Sequence, residues 1–177
     1  MEKIGVFCSA CDSIDQIYFT TTTQLGEWIG KNNKTLIYGG ADLGLMECIA
    51  KAVKTNGGKV IGVVPSILEE KGKVSKFVDT VHQTKNLSDR KDFILEHSDV
   101  FVALPGGIGT VDEIFHVMGA ATIGYHSKKV ILYNVDGFYN EIIEVLETLN
   151  KKGFIRRPLN IFYDVANTFE ELTGLLK

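Results

Sequence analysis

The stretch Val100-Phe101-Val102-Ala103-Leu104-Pro105-Gly106-Gly107-Ile108-Gly109-Thr110-Val111-Asp112-Glu113 changes character twice. Residues 100–104 are almost wholly apolar, as expected of a parallel strand buried on both faces. Three glycines follow within four positions, and from Thr110 the pattern becomes helical. Glycine lets a backbone turn tightly and approach a ligand without a Cβ in the way. A helix start presents unpaired N–H groups and the positive end of the dipole, a seat for phosphate to which the Thr110 hydroxyl can add. No Gly-Lys-Ser/Thr follows and the G-x-G-x-x-G spacing is absent, so this is neither a Walker loop nor a dinucleotide fingerprint. Thr110 and Glu113 also have the spacing of a capping box. A phosphate loop and a structural cap are compatible readings until the placement of Glu113 is known.

Working outward, short apolar runs alternate with helical stretches. Strands are expected at Ile4–Cys8, Thr35–Tyr38, Lys59–Val64, Phe77–Val81, Val100–Leu104, Val130–Tyr133 and Ile161–Tyr163. Helices are expected from about Gln16 to Lys31, around Leu45–Val53, and over Leu87–His97, Thr110–Gly124, Tyr139–Lys151 and Phe169–Leu176. Ser13 and Gln16 suggest a capping box before the first helix, and Ser88 opens the third. Residues 66–76 (SILEEKGKVSK) read as a mobile loop. Alternating strands and helices imply βαβ crossovers, and so an α/β fold of three layers around a mostly parallel sheet of about seven strands. Ligands of such sheets bind beyond the carboxyl ends of the strands, near the switch in strand order.

Other turns compete for a role. Tyr38-Gly39-Gly40-Ala41-Asp42-Leu43-Gly44 repeats the strand-glycine-helix design and reads equally as a tight structural turn. Arg90 precedes Phe93 and Ile94 by three and four residues and shares their helix face. An inward arginine near a helix start opposes the dipole unless it meets an anion; a solvated, snorkelling arginine is the alternative. Lys91 by position alone reads as surface. Cys8-x-x-Cys11 lacks the second pair or clustered histidines of a zinc site and reads as chance spacing; Cys48 reads as core. Of the four histidines only His116 can share the face of Glu113.

The chain has 19 Lys and Arg against 22 Asp and Glu, a net charge of −3 that gives no electrostatic case for nucleic acid or an anionic membrane. With 45% hydrophobic residues and no dominant charge block, disorder is not expected. No apolar run approaches the roughly 18 residues of a spanning helix, and the opening residues lack a signal-peptide core. Three cysteines, an odd number, fit a reducing cytosol. The expectation is one cytoplasmic domain over residues 1–177.

LIYGGADLGLM, VIGVVP, Arg90-Lys91, FVALPGGIGTVDE and YNVDGFYNEII occur in the order and spacing of the Lonely Guy (LOG) family, whose members are often labelled lysine decarboxylases. The resemblance covers essentially the whole chain. It implies a Rossmann-like fold, a homodimer, no cofactor and no metal. It also implies hydrolysis of the N-glycosidic bond of a nucleoside 5′-monophosphate, AMP or a cytokinin riboside monophosphate, to free base and ribose 5-phosphate. Carried over, Arg90 and Glu113 match the catalytic pair. Gly106, Gly107, Gly109 and Thr110 match the phosphate loop, and Gly39 and Gly40 the second glycine turn. Ser9 and Lys91 join the residues expected around the substrate. Departures are Cys8-Ser9-Ala10 for the usual Cys-Gly-Ser-Ser, Leu87-Ser88-Asp89 for Met-His-Glu, His116 for a second Glu, and Ala120 and Thr122 for Trp and Gln. They fall around the expected base and sugar pocket. Glu113 is expected to stabilise an oxocarbenium-like ribosyl centre or activate water; Arg90 is left among phosphate, ribose and leaving base. The alternatives are a carrier of a phosphorylated cofactor such as the molybdenum cofactor and, weakly, a DNA-processing protein. Residues 114–124 are the candidate dimer face.

Overall fold

The computed structural model describes residues 1–66 and 72–177. Among these residues seven strands form one sheet: β1 (Lys3–Phe7), β2 (Thr35–Tyr38), β3 (Lys59–Pro65), β4 (Thr80–Thr84), β5 (Val100–Ala103), β6 (Val130–Tyr133) and β7 (Tyr163–Ala166). The helices are α1 (Gln16–Lys31), α2 (Gly44–Thr55), α3 (Leu87–His97), α4 (Ile108–Thr122), α5 (Asn140–Lys151) and α6 (Phe169–Leu175). Among the described residues every pairing between these strands is parallel, in the order β4-β3-β2-β1-β5-β6-β7. This is an α/β/α sandwich, as the alternating pattern implied, and Rossmann-like, as the resemblance implied.

Side-chain alternation along the strands makes two cores. Ile4, Val6, Leu36, Val100, Val102 and Ile131 face α1, α2 and α6. Phe7, Ile37, Phe101, Ala103, Val130 and Leu132 face α3, α4 and α5. Phe7 and Phe101 stack with centroids 5.6 Å apart, over a space that a Cβ at Gly5 would invade.

The chain builds outward from β1 to β4, then returns through α3 to β5 on the other side of β1. The carboxyl ends of β1 and β5 therefore adjoin at the switch point, with Phe7 opposite Ala103. Pairing continues past the strands: Leu104 N–H donates to Phe7 C=O at 2.9 Å and Ser9 N–H to Pro105 C=O at 3.2 Å. Leu45 N–H in turn donates to Ser9 C=O, 3.0 Å, which ties the first turn to α2.

Several local expectations shift. The fourth strand lies at Thr80–Thr84, an edge strand with mostly exposed side chains, while Phe77 and Val78 pack on the core from the preceding loop. Its polar sequence therefore hides it. The last strand starts at Tyr163 because residues 159–161 form a 3-10 turn. Asp15, not Ser13, precedes α1, with no side-chain cap. Asn86, not Ser88, caps α3, its Oδ1 accepting from Asp89 N–H at 2.9 Å. The expected loop at 66–76 falls partly on residues 67–71, outside the described residues; residues 73–75 run beside the second glycine turn, with Ser75 N–H donating to Gly40 C=O at 2.9 Å.

Candidate active site

Helix α4 begins two residues earlier than the pattern suggests. Gly107 is its N-cap, so Thr110 lies inside the first turn and cannot cap it. The first intrahelical bond runs from Val111 N–H to Gly107 C=O, 3.1 Å, and the amides of residues 108–110 precede that ladder. The capping-box reading of Thr110 and Glu113 is thereby removed: Glu113, on the second turn, points its carboxylate inward.

There it meets Arg90. Nη2 of Arg90 lies 3.1 Å from Oε1 of Glu113, and both side chains are almost buried. The guanidinium is also held by its Nε, which donates to the Val63 carbonyl at 3.1 Å. Arg90 thus passes from α3 across the carboxyl ends of β3 and β2. Gly39 makes room for it, since a Cβ there would overlap the guanidinium. Gly40, at φ +77°, turns the chain away in the left-handed region that glycine favours.

The pair forms the floor of a cavity of about 220 Å³ whose walls are Cys8–Cys11, Met46, Gly107, Gly109 and Thr110. The Ser9 hydroxyl accepts from Cys11 N–H at 3.0 Å, which shapes the first turn into a wall. Gly106 stands behind, closely packed on the Thr110 side chain. Gly107 and Gly109 differ from these: a Cβ at either meets nothing within 4 Å, and neither has a positive φ. Nothing among the described residues demands glycine there. A second cavity of about 260 Å³ shares Ser9, Cys11 and Gly107 and continues to Ile14, Tyr18, Pro105 and Phe138.

Burial pushes the Glu113 carboxyl up from its ordinary 4.5 to about 6, against the pull of Arg90. At neutral pH the group is still mainly ionised, a base of useful strength. Burial, reinforced by Glu113, holds the Cys8 thiol far above its ordinary range, so Cys8 is not a thiolate and Cys8-x-x-Cys11 is no ready redox couple.

Of the residues singled out from sequence, Arg90, Glu113, Ser9, Gly107, Gly109 and Thr110 all line this cavity. Gly39 borders the Arg90 guanidinium and Met46, Gly106 lines the adjoining second cavity, and Gly40 packs on Val64 and Gly62. Lys91 is not among the lining residues; its ammonium is engaged by Asp112, 3.0 and 2.8 Å from the two carboxylate oxygens. His116 does lie toward α3, its Nε2 3.1 Å from Asp92 Oδ1, close in distance but not aligned as a hydrogen bond. Sequence reasoning missed Tyr139, whose buried hydroxyl donates to the Leu104 carbonyl at 2.6 Å and props the strand end that launches the loop. Nothing local flagged it: it stands between Gly137-Phe138 and Asn140-Glu141 and reads only as a helix start.

The family model described as a possible lysine decarboxylase matches residues 46–176. A probable cytokinin riboside 5′-monophosphate phosphoribohydrolase of Oryza sativa subsp. japonica, LOGL2, is 35% identical over 99% of this chain and 72% of its own length. Cytokinin riboside 5′-monophosphate phosphoribohydrolase LOG3 of Arabidopsis thaliana is 34% identical over 99% of this chain and 81% of its own. Among solved structures, the Moco carrier protein of Chlamydomonas reinhardtii superposes with a TM-score of 0.76 at 25% identity, covering 99% of this chain and 94% of that one. DNA processing protein A of Helicobacter pylori, at 13% identity and a TM-score of 0.59 over 99% of this chain and 80% of its own, shares the fold alone. With a third of its residues shared end to end with such relatives, the chain belongs to the Lonely Guy (LOG) family.

Proposed function

We propose that this protein hydrolyses the N-glycosidic bond of a nucleoside 5′-monophosphate, AMP or a cytokinin riboside monophosphate, releasing free base and ribose 5-phosphate. The observation that carries the reading is the buried Arg90–Glu113 pair at the floor of a cavity walled by a glycine-rich helix start. The phosphate binds the amides of residues 108–110 with Thr110, where the bare faces of Gly107 and Gly109 leave room for it. That anchor, with Gly39, Gly40, Gly106 and Ser9 shaping the surroundings, sets C1′ of the ribose against Glu113. As the bond to the base lengthens, C1′ gains positive charge, by analogy with O-glycoside cleavage, and the carboxylate stabilises it. Water, oriented by Glu113, adds its oxygen to C1′, and its proton accounts for the one the base carries away. Arg90, locked to Val63 and Gly39, holds Glu113 ionised in a buried place and offers a cation to the ribose side.

A cofactor carrier is the second reading, supported by the likeness to the Moco carrier protein of Chlamydomonas reinhardtii. The buried carboxylate favours the hydrolase, since an anion carrier gains nothing from a second anion in its pocket. Incubation with each nucleoside monophosphate and its matched nucleoside, followed by chromatography for free base, separates them. Cleavage of phosphorylated forms alone is expected. Saturable binding with no free base would favour the carrier.

The protein acts as a cytoplasmic homodimer of one domain each in this reading. Its three cysteines are unpaired, as a reducing compartment favours. Ile108 and Phe115 are exposed seven residues apart on one side of α4, and Ile123 is exposed just past its end, a stripe that a second copy would cover.

A further inference from the structure

Three consecutive residues of α3 reach toward α4: Arg90 to Glu113, Lys91 to Asp112 and Asp92 to His116. The middle contact is the best formed, both Asp112 oxygens accepting from the Lys91 ammonium. Each partner is the immediate chain neighbour of a member of the proposed catalytic pair, and neither lines the cavity. We infer that Lys91 and Asp112 are a positioning pair that sets the charge state and orientation of Glu113, and that neither touches substrate. The inference rests on the function proposed above only for its consequence in catalysis.

The geometry gives the reason. An unpaired Asp112 beside Glu113 would oppose ionisation of a carboxyl that is already burdened by burial, and Lys91 cancels that charge across the helix gap. Asp112 raises the Glu113 value, whereas Arg90 and Lys91 lower it. Among the described residues, the other titratable groups facing Glu113 are the Cys8 thiol at the end of β1 and the Tyr139 hydroxyl before α5. Burial keeps both neutral, so they do not replace either charge. His116 lies one turn further along α4, against Asp92. The pair also joins α3 to α4 beside the site, next to the Arg90–Glu113 contact.

Two single variants therefore act with opposite signs, which no common structural defect would produce. In the unliganded protein the Glu113 carboxyl is followed by 13C NMR against pH, its signal identified by loss in Glu113→Gln. Lys91→Gln is expected to raise the titration midpoint and Asp112→Asn to lower it, each by about half a pH unit. The double variant should return close to the wild type, and Lys91→Arg should stay there with its folded state intact. In the same proteins the acidic limb of kcat/KM for AMP should move with the midpoint. Shifts of one sign in both variants, or no shift, overturn the inference. So does a rise of tenfold or more in the AMP KM from Lys91→Gln at every pH with Asp112→Asn unaffected, which makes Lys91 a phosphate ligand. Should the wild type leave AMP intact, the hydrolase reading fails while the titration still decides the role of the pair.

Discussion

Glu113 carries two separable duties, proton affinity and negative charge. Glu113→Gln keeps the shape and removes the charge, so release of ribose 5-phosphate should fall by about 10²-fold or more while nucleotide binding persists, measured by product chromatography and calorimetry. Stability supplies a second test with a definite sign. The folded-state value, about 6, exceeds the ordinary 4.5. The native protein thus binds more proton than the unfolded chain between those values, and its stability declines as pH rises through them. Relative to Glu113→Gln, the wild type should lose about 2 kcal/mol between pH 4 and pH 7 in denaturant titrations. The inward placement of Arg90 was legible from its spacing to Phe93 and Ile94. That of Glu113 was not, because the same four residues spell a helix cap, and only the earlier start of α4 at Ile108 removes that possibility. Lys91 and Asp112 were illegible as a couple, since nothing in a sequence tells which two helices lie side by side.

Among the elements, the glycine turns divide by what surrounds them. Gly39→Ala should displace the Arg90 guanidinium, costing about 1–3 kcal/mol of stability together with activity. Gly107→Ala places its methyl in open space, so melting should change by no more than about 0.5 kcal/mol. The KM for nucleotide should nonetheless rise about tenfold, because the methyl stands where the phosphate belongs. Equal loss of stability in both variants would make the loop a structural turn. Strand and helix types were legible wherever burial dictates a period, as in β1, β5 and α4. Boundaries failed where packing outvoted local pattern. Phe77 and Val78 look like strand but fill the core from a loop, and Ser13–Gln16 has capping spacing without a cap, whereas Thr168–Glu171 forms a complete capping box.

For the whole molecule, the paired sheet faces fix where the core is most sensitive. Phe101 is fully buried between Phe7 and α4, so Phe101→Ala should destabilise by about 3–5 kcal/mol in chemical denaturation. Phe115→Lys, on the exposed side of α4, should instead leave the fold intact and, for the homodimer proposed above, shift the light-scattering mass from dimer to monomer. The parallel character of the sheet was legible from alternation alone, but not which apolar residues of α4 are exposed, because exposed apolar residues look the same in sequence as buried ones. Finally, α3 is a strap: it lies across β4, β3, β2 and β1 before delivering the chain to β5. The guanidinium reaches over β3 and the carboxylate comes from the helix after β5, so their meeting joins both halves of the sheet and is expected late in folding. Refolding protein should regain its circular dichroism before it regains turnover, and the interval between the two would time the closing of that strap.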